Sequence, residues 1–290
     1  MSVAAYHGET RMNKLWKIRA ALLAVAAMIG IEQILSAQDA GAPATQPATA
    51  LPAAAQPAPG SAAATTQTFA RPLFTEDFES GQINKDVWDI RTNSDVTIKV
   101  QQEKVAHGKS ALQVHFPAGK SGRYAFIVAT HLPDAVRQHF FGRAYMFAGS
   151  NPPNAHDVAI LAGTPGWPVS NFLELGLHDT HLQPSFQENG AGVPRGETVP
   201  PRTQTYPMDK WFCMEWEFND DPDHMNVWID GNQVVDKTFT YKTAGNSHLV
   251  NGFSDFAFGF RVWGAGAKTD FDIYYDDIAI GTSRIGPVAE

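Results

Sequence analysis

The stretch NFLELGLH, Asn171 to His178, places a leucine at every second position. Side chains at i and i+2 share one side of an extended strand. Leu173, Leu175 and Leu177 therefore face a core, and Phe172, Glu174, Gly176 and His178 face away from it. FAFGFRVWG, Phe256 to Gly264, repeats the pattern: Phe256, Phe258, Phe260 and Val262 lie on one side and Ala257, Gly259, Arg261 and Trp263 on the other. In FCMEWEF the inward set is Met214, Trp216 and Phe218, which leaves Cys213, Glu215 and Glu217 outside. In GRAYMF, Ala144 and Met146 point inward while Arg143, Tyr145 and Phe147 point away.

Working outward from these segments, sustained helical periodicity is scarce after Leu73. Short alternating runs separated by Gly, Pro, Asn and Asp recur instead, at 97–100, 111–116, 124–129, 158–162, 226–229 and 272–280. Asp230-Gly231-Asn232 is a hairpin turn signal. The pattern predicts an all-β fold, a jelly-roll sandwich of antiparallel strands running from about residue 71 to 290. The faces turned from the core carry Arg, Glu, His, Tyr and Trp rather than the Thr, Ser and Lys of an ordinary wetted sheet. If these strands share one sheet, that face is a ligand groove. Tyr145, Trp228 and Trp263 would stack on sugar rings there, and Glu174, Glu215 and Glu217 would bond hydroxyls. The plainer alternative is that these residues pack under loops.

The chain before this domain reads differently. Lys14 to Arg19 is basic, and Ala20 to Ile31 is an uninterrupted apolar run of signal-peptide length, so residues 1–37 are expected to form a signal peptide, with Met12 as an alternative start. An uncleaved anchor is the competing reading. Residues 38–70 are rich in Ala, Pro, Thr and Gln and cannot bury enough apolar surface to offset the entropy of ordering, which makes them a disordered linker. Secretion or a periplasmic location follows, with no stable membrane insertion after signal cleavage, and a monomer is expected. Net charge is −10 from Gln38 onward, a sign that repels phosphate backbones and argues against nucleic acid. The single Cys213 permits no internal disulfide.

Six segments taken in order, TEDFESG (Thr75 to Gly81), VAHGKSALQV (Val105 to Val114), GRAY (Gly142 to Tyr145), CMEWEF (Cys213 to Phe218), NVWIDG (Asn226 to Gly231) and YYDDIAIGTSRIG (Tyr274 to Gly286), span nearly the whole domain. They resemble the core domain of the fungal cellulose-induced secreted protein family, which has bacterial relatives. The resemblance implies a β-jelly roll related to the glucuronan lyases, with a structural calcium where the two ends of the domain meet. Its ligands would be Glu79, Asp276 and the backbone carbonyls of His107 and Ser110. Hard oxygens suit calcium. Alternation also places Asp276 on the core side with Ile278 and Ile280, where a lone carboxylate is costly without a partner. The alternative is that Glu79 and Asp276 are turn residues bonded to backbone N–H groups.

A uronide lyase needs a cation to neutralise the carboxylate beside C5 and a base to remove the C5 proton. Arg143 and Arg261 are candidates for the first role, His156 and His178 for the second. The strand 172–178 departs from the family, which carries Arg and Gln where this chain has Glu174 and His178. A glutamate facing the groove repels a uronate, whereas His178 supplies a stronger base. Two other functions fit the residues: a non-catalytic carbohydrate-binding module for neutral glucans, and a laminarinase-like glycoside hydrolase. The latter needs two carboxylates about 5 to 9.5 Å apart, and Glu215 and Glu217, at i and i+2, stand roughly 7 Å apart. The Glu-x-Asp-x-x-Glu signature of those hydrolases is missing.

Overall fold

All ten runs read as strands are strands, and five more join them. The computed structural model describes residue 69 and most of residues 71–290. Outside the described residues lie 1–68, 70, 120–121, 131, 153–155, 164–170, 179, 189–194, 199–203, 221–222, 240–251, 263–267 and 289–290, together with the side chains of some strand residues, His156 among them. The expected signal peptide, the linker up to residue 68 and Trp263 thus fall outside. Among the described residues, no helix is long and apolar enough to cross a membrane.

The strands form two antiparallel sheets. The eight-stranded sheet runs in the order β13 (Asn232–Thr238), β12 (Asp223–Ile229), β11 (Trp211–Asp220), β6 (His139–Ala148), β15 (Phe271–Gly281), β4 (Ala111–Phe116) and β3 (Thr97–Gln101), and β1 (Phe74–Glu76) also pairs with β15. The seven-stranded sheet runs β10 (Arg195–Thr198), β9 (His181–Glu188), β8 (Asn171–His178), β7 (His156–Gly163), β14 (Asp255–Val262), β5 (Arg123–Ala129) and β2 (Asp89–Thr92). Strands distant in sequence lie side by side, as the long crossings of a jelly roll require. The predicted turn closes the β12–β13 hairpin, with Asp230 at φ 47° and Gly231 at φ 78°, the paired positive values that match strand twist.

The inward residues of both sheets meet in one core. Leu173, Leu175 and Leu177 pack there with Phe256, Phe258, Phe260 and Val262 from the same sheet, and with Ala144, Met146, Met214, Trp216 and Phe218 from the other. Burying each large side chain contributes about 1.5–3 kcal/mol. Tyr275 crosses from β15 to the opposite sheet: its hydroxyl donates to the carbonyl of Ala159, 3.0 Å away, and to that of Gly259, 2.6 Å away. The β7–β14 and β7–β8 ladders both shift register here, and Tyr275 satisfies carbonyls that the interrupted ladders leave over. A Cβ on Gly259 would fall 2.0 Å from the Ala125 carbonyl oxygen, so only glycine fits.

One face assignment changes. The β6–β15 ladder carries a bulge between Asp276 and Ala279, with Asp277 at φ 47°. The extra residue reverses the alternation, so Tyr275 and Ile278 both reach the core while Asp276 stands opposite the outward Tyr145. The core-side placement read from Ile278 and Ile280 is therefore wrong for Asp276, because strict period two fails across a bulge.

Candidate functional site

The outward residues of the four decisive segments do not share one surface. β6 and β11 pair in the eight-stranded sheet, whereas β8 and β14 belong to the seven-stranded sheet on the far side of the core. Alternation tells in from out along each strand, but not which sheet the strand joins. Arg143, Tyr145, Glu215, Glu217 and Trp228 are thereby separated from Arg261, Glu174, His156 and His178.

On the eight-stranded sheet the outward residues are engaged by the chain's own segment 284–288. Arg284 grips the buried Glu215 with two bonds, Nη2 to Oε2 at 2.7 Å and Nε to Oε1 at 3.2 Å, and the Gly286 N–H donates to Oε1 at 2.8 Å. Arg143 donates to the carbonyls of Gly286 (3.1 Å) and Asp277 (3.3 Å). The Val288 N–H donates to the Tyr145 hydroxyl at 3.2 Å. The Arg284 guanidinium lies 4.5 Å from the centre of the Trp228 ring. Glu217 bonds His139 at 2.6 Å and accepts from Asn226 at 2.5 Å. These contacts fasten a strap to a sheet. Glu215, covered and paired, does not face a bond to be cut, so the two-carboxylate hydrolase geometry is not met.

The other sheet presents a different outer face. Tyr124 stands opposite Arg261, Phe126 opposite Gly259 and Val128 opposite Ala257. Phe126, Val128 and Ala257 form a small apolar cluster with Tyr124 and Phe172 packed against it. Farther across, Glu174 stands opposite Ser185, Gly176 opposite Gln183 and His178 opposite His181. By backbone register His156 pairs with His178 from the β7 side. Glu174, Ser185 and Gln183 are buried although they point from the core, and the Ser185 hydroxyl donates to Glu174 Oε1. Burial lowers the Arg261 pKa to about 10, with Glu174 and then Tyr124 pulling it back up. Arg261 is thus a partly desolvated cation, still charged at neutral pH, with a carboxylate and a phenol near it. Tyr124, Ser185 and Gln183 escaped the sequence reading. For Ser185 and Gln183 strand β9 was the available signal, but Pro184 in its middle argues against an interior strand; Tyr124 lies on β5, which was read as a strand without a role for this residue.

The proposed calcium ligands meet at the loop 106–110. Glu79 Oε1 accepts from the N–H groups of Lys109 (2.8 Å) and Ser110 (2.9 Å). Asp276 Oδ2 accepts from Ala106 (3.0 Å) and His107 (3.2 Å), and its Oδ1 from Asp277 (2.9 Å). Five N–H donors thus compensate the two carboxylates, which is the turn-type alternative. Among the described residues, no group of three or more His, Cys, Asp or Glu has metal-holding geometry. In this arrangement the loop offers its N–H groups to both acids.

Two packed antiparallel sheets with a polar, partly buried outer face on one of them define a β-jelly-roll sandwich. Solved structures share that fold. The cellulose-induced protein Cip1 superposes with a TM-score of 0.55 at 17% identity, over 74% of this chain and 99% of that one. An endo-β-1,4-glucuronan lyase from the fungus Trichoderma reesei gives 0.54 at 16%, over 73% and 96%. A Bacteroides ovatus mixed-linkage-glucan GH16 protein, solved with a G4G4G3G product, gives 0.53 at 12%, over 72% and 100%. No family model matches the chain, and no curated protein matches its sequence.

Proposed function

We propose that the chain is an exported polysaccharide-active protein that cleaves a uronide by β-elimination on the outer face of the seven-stranded sheet. The observation that carries this reading is Arg261, partly desolvated with Glu174 and Tyr124 near it, on the same outer face as His178. The fold it shares with a glucuronan lyase and a glucan-bound GH16 protein supports a carbohydrate partner.

In this mechanism Arg261 binds the substrate carboxylate and stabilises the negative charge that develops when C5 loses its proton. Glu174, buried and held by Ser185, orients the guanidinium. His178 takes the C5 proton, with His156 next to it by register. The C5 electron pair forms the C4=C5 double bond, the C4–O bond breaks, and the Tyr124 hydroxyl, opposite Arg261, protonates the leaving oxygen. The test is the appearance of unsaturated oligosaccharides from polyuronides, and their loss in Arg261→Ala.

A second reading rests on Glu174. Its carboxylate offsets the Arg261 charge, which favours binding of a neutral glycan without turnover. Binding of neutral glucans by a chain that forms no unsaturated product from any polyuronide supports this alternative. Calcium belongs to the proposal as an ion held by Glu79, Asp276 and the backbone carbonyls of His107 and Ser110. Its test is thermal stability with added calcium.

A further inference from the structure

The eight-stranded sheet carries a polar hollow at the Phe147 end of β6. Backbone register lines up Trp211, Phe147, Tyr274 and Gln113 across four neighbouring strands, β11, β6, β15 and β4. All four face outward, because their chain neighbours Phe212, Met146, Tyr275 and Leu112 belong to the core. The three aromatic rings meet edge to face, with centroids 5.8 Å apart for Phe147 and Trp211, 5.7 Å for Phe147 and Tyr274, and 6.4 Å for Trp211 and Tyr274. Lys104 lies over them: its Nζ is 3.7 Å from the centre of the Phe147 ring and 5.2 Å from that of Tyr274. Among the described residues no carboxylate pairs with this ammonium. Beside it opens a cavity of about 220 Å³, bounded also by Ser150, Asn151, Asp209, Asp270 and Asp272.

The polar groups around the cavity are positioned by the surrounding chain. Asp272 Oδ1 accepts from Gln113 Nε2 and meets His115 Nδ1, each at 2.9 Å, while its Oδ2 makes no bond among the described residues. Asp270 Oδ1 accepts from the Ala118 N–H at 2.8 Å. Asp209 stands at φ 55°, a value that Asp and Asn tolerate, and its N–H donates to the Ala148 carbonyl at 2.8 Å. The Tyr274 hydroxyl accepts from Gln113 at 3.3 Å and keeps its own proton to donate.

These groups sort the ligands. Three acids against one ammonium repel a uronate or a phosphate. Lys104 already occupies the ring faces that a ligand cation would use. A neutral polyol suits both signs at once, since its hydroxyls donate to the Asp carboxylates and accept from Lys104 and Asn151. The cavity is smaller than the about 300–1,000 Å³ of a drug-sized site, which limits the occupant to one sugar ring. We propose that this hollow is a second, non-catalytic site that holds one neutral sugar residue through Lys104, Asp209 and Asp272, on the sheet opposite the elimination face. It does not rest on the lyase reading, because its occupancy is measured without turnover.

The experiment is saturation-transfer NMR of the purified full chain with the methyl glycosides of glucose, galactose, mannose and xylose, and with sodium glucuronate. It compares the wild type with Lys104→Met, Asp209→Asn and Arg261→Ala, each first matched to the wild type by circular dichroism. Lys104→Met keeps an apolar stem on the rings and removes the ammonium, and Asp209→Asn keeps a residue that accepts the positive φ. The expected result is binding of at least one neutral glycoside by the wild type, with affinity about tenfold lower in Lys104→Met and about fivefold lower in Asp209→Asn. Arg261→Ala, on the other sheet, is expected to bind as the wild type does. Asp209→Asn decides the matter if Lys104→Met does not fold. Wild type that binds none of the neutral glycosides, binding unchanged in Lys104→Met, a loss in Arg261→Ala equal to that in Lys104→Met, or glucuronate binding that disappears in Lys104→Met overturns the proposal.

Discussion

The hydroxyl of Tyr275, on the eight-stranded sheet, donates to the carbonyl oxygen of Gly259, on the seven-stranded sheet, across 2.6 Å of buried space. The same hydroxyl holds Ala159, and together these bonds pin the place where β7 and β14 leave register. Arg261 is two residues further along β14. The bond thus joins the core of the sandwich to the position of its candidate cation.

Tyr275→Phe keeps the ring and leaves two buried carbonyls without this donor. Such a loss costs about 1–3 kcal/mol, which urea denaturation reads as a lowered midpoint with an unchanged slope. A midpoint equal to wild type contradicts the role given to this hydroxyl.

Arg284→Ala leaves the buried carboxylate of Glu215 with the Gly286 N–H in place of a bidentate guanidinium. Breaking a buried pair from one side is destabilising by about 3 kcal/mol or more, whereas removing both charges is far milder. The double variant Glu215→Gln/Arg284→Met is therefore expected to be more stable than Arg284→Ala alone. Equal stability of the single variant and wild type shows that the strap does not fasten the sheet.

Burial, and then the neighbouring charge of Glu215, push the Cys213 thiol up to about 12. At pH 8 almost none of it is thiolate, the form that reacts. Iodoacetamide is expected to leave the native chain unmodified at pH 8 and to label it fully once unfolded. Rapid native labelling contradicts the burial of β11.

Burial, with Asp277 adding to it, raises Asp276 to about 6 from the ordinary 3.8, against the pull of the N–H groups of His107, Ala106 and Asp277. A carboxyl whose folded value lies above its unfolded one binds its proton more tightly when folded. Its contribution is thus fully present below 3.8 and is lost as pH rises through about 6. In chelator, the wild type is expected to lose stability relative to Asp276→Asn across that window; parallel melting curves refute it. If calcium sits at Glu79 and Asp276, added calcium raises the melting temperature of the wild type at pH 7.5 and not that of Asp276→Asn. No rise in the wild type shows that calcium does not bind there.

The strands and their inward faces were legible because leucines and phenylalanines at period two report burial directly, as in 171–178 and 255–262. The five missed strands are short, exposed or interrupted: β2 is exposed throughout, β9 contains Pro184, and β13 follows its turn with polar residues. The site was half legible. Arg261, Glu174 and His178 were found on their strands, but their separation from Arg143 and Glu215 depends on pairings between strands far apart in sequence, which alternation does not encode. The reversal at Asp276 depends on one bulge residue, Asp277.

We propose that Arg261 and His178 cleave a uronide on the outer face of the seven-stranded sheet. The most direct test is the ultraviolet absorbance of unsaturated product when the purified chain meets a panel of polyuronides including glucuronan. Product is expected from at least one of them, with a rate lower by roughly 10²-fold or more in Arg261→Ala and Arg143→Ala forming product at the wild-type rate where it folds. No product from any polyuronide, or an Arg261→Ala rate equal to wild type, contradicts it.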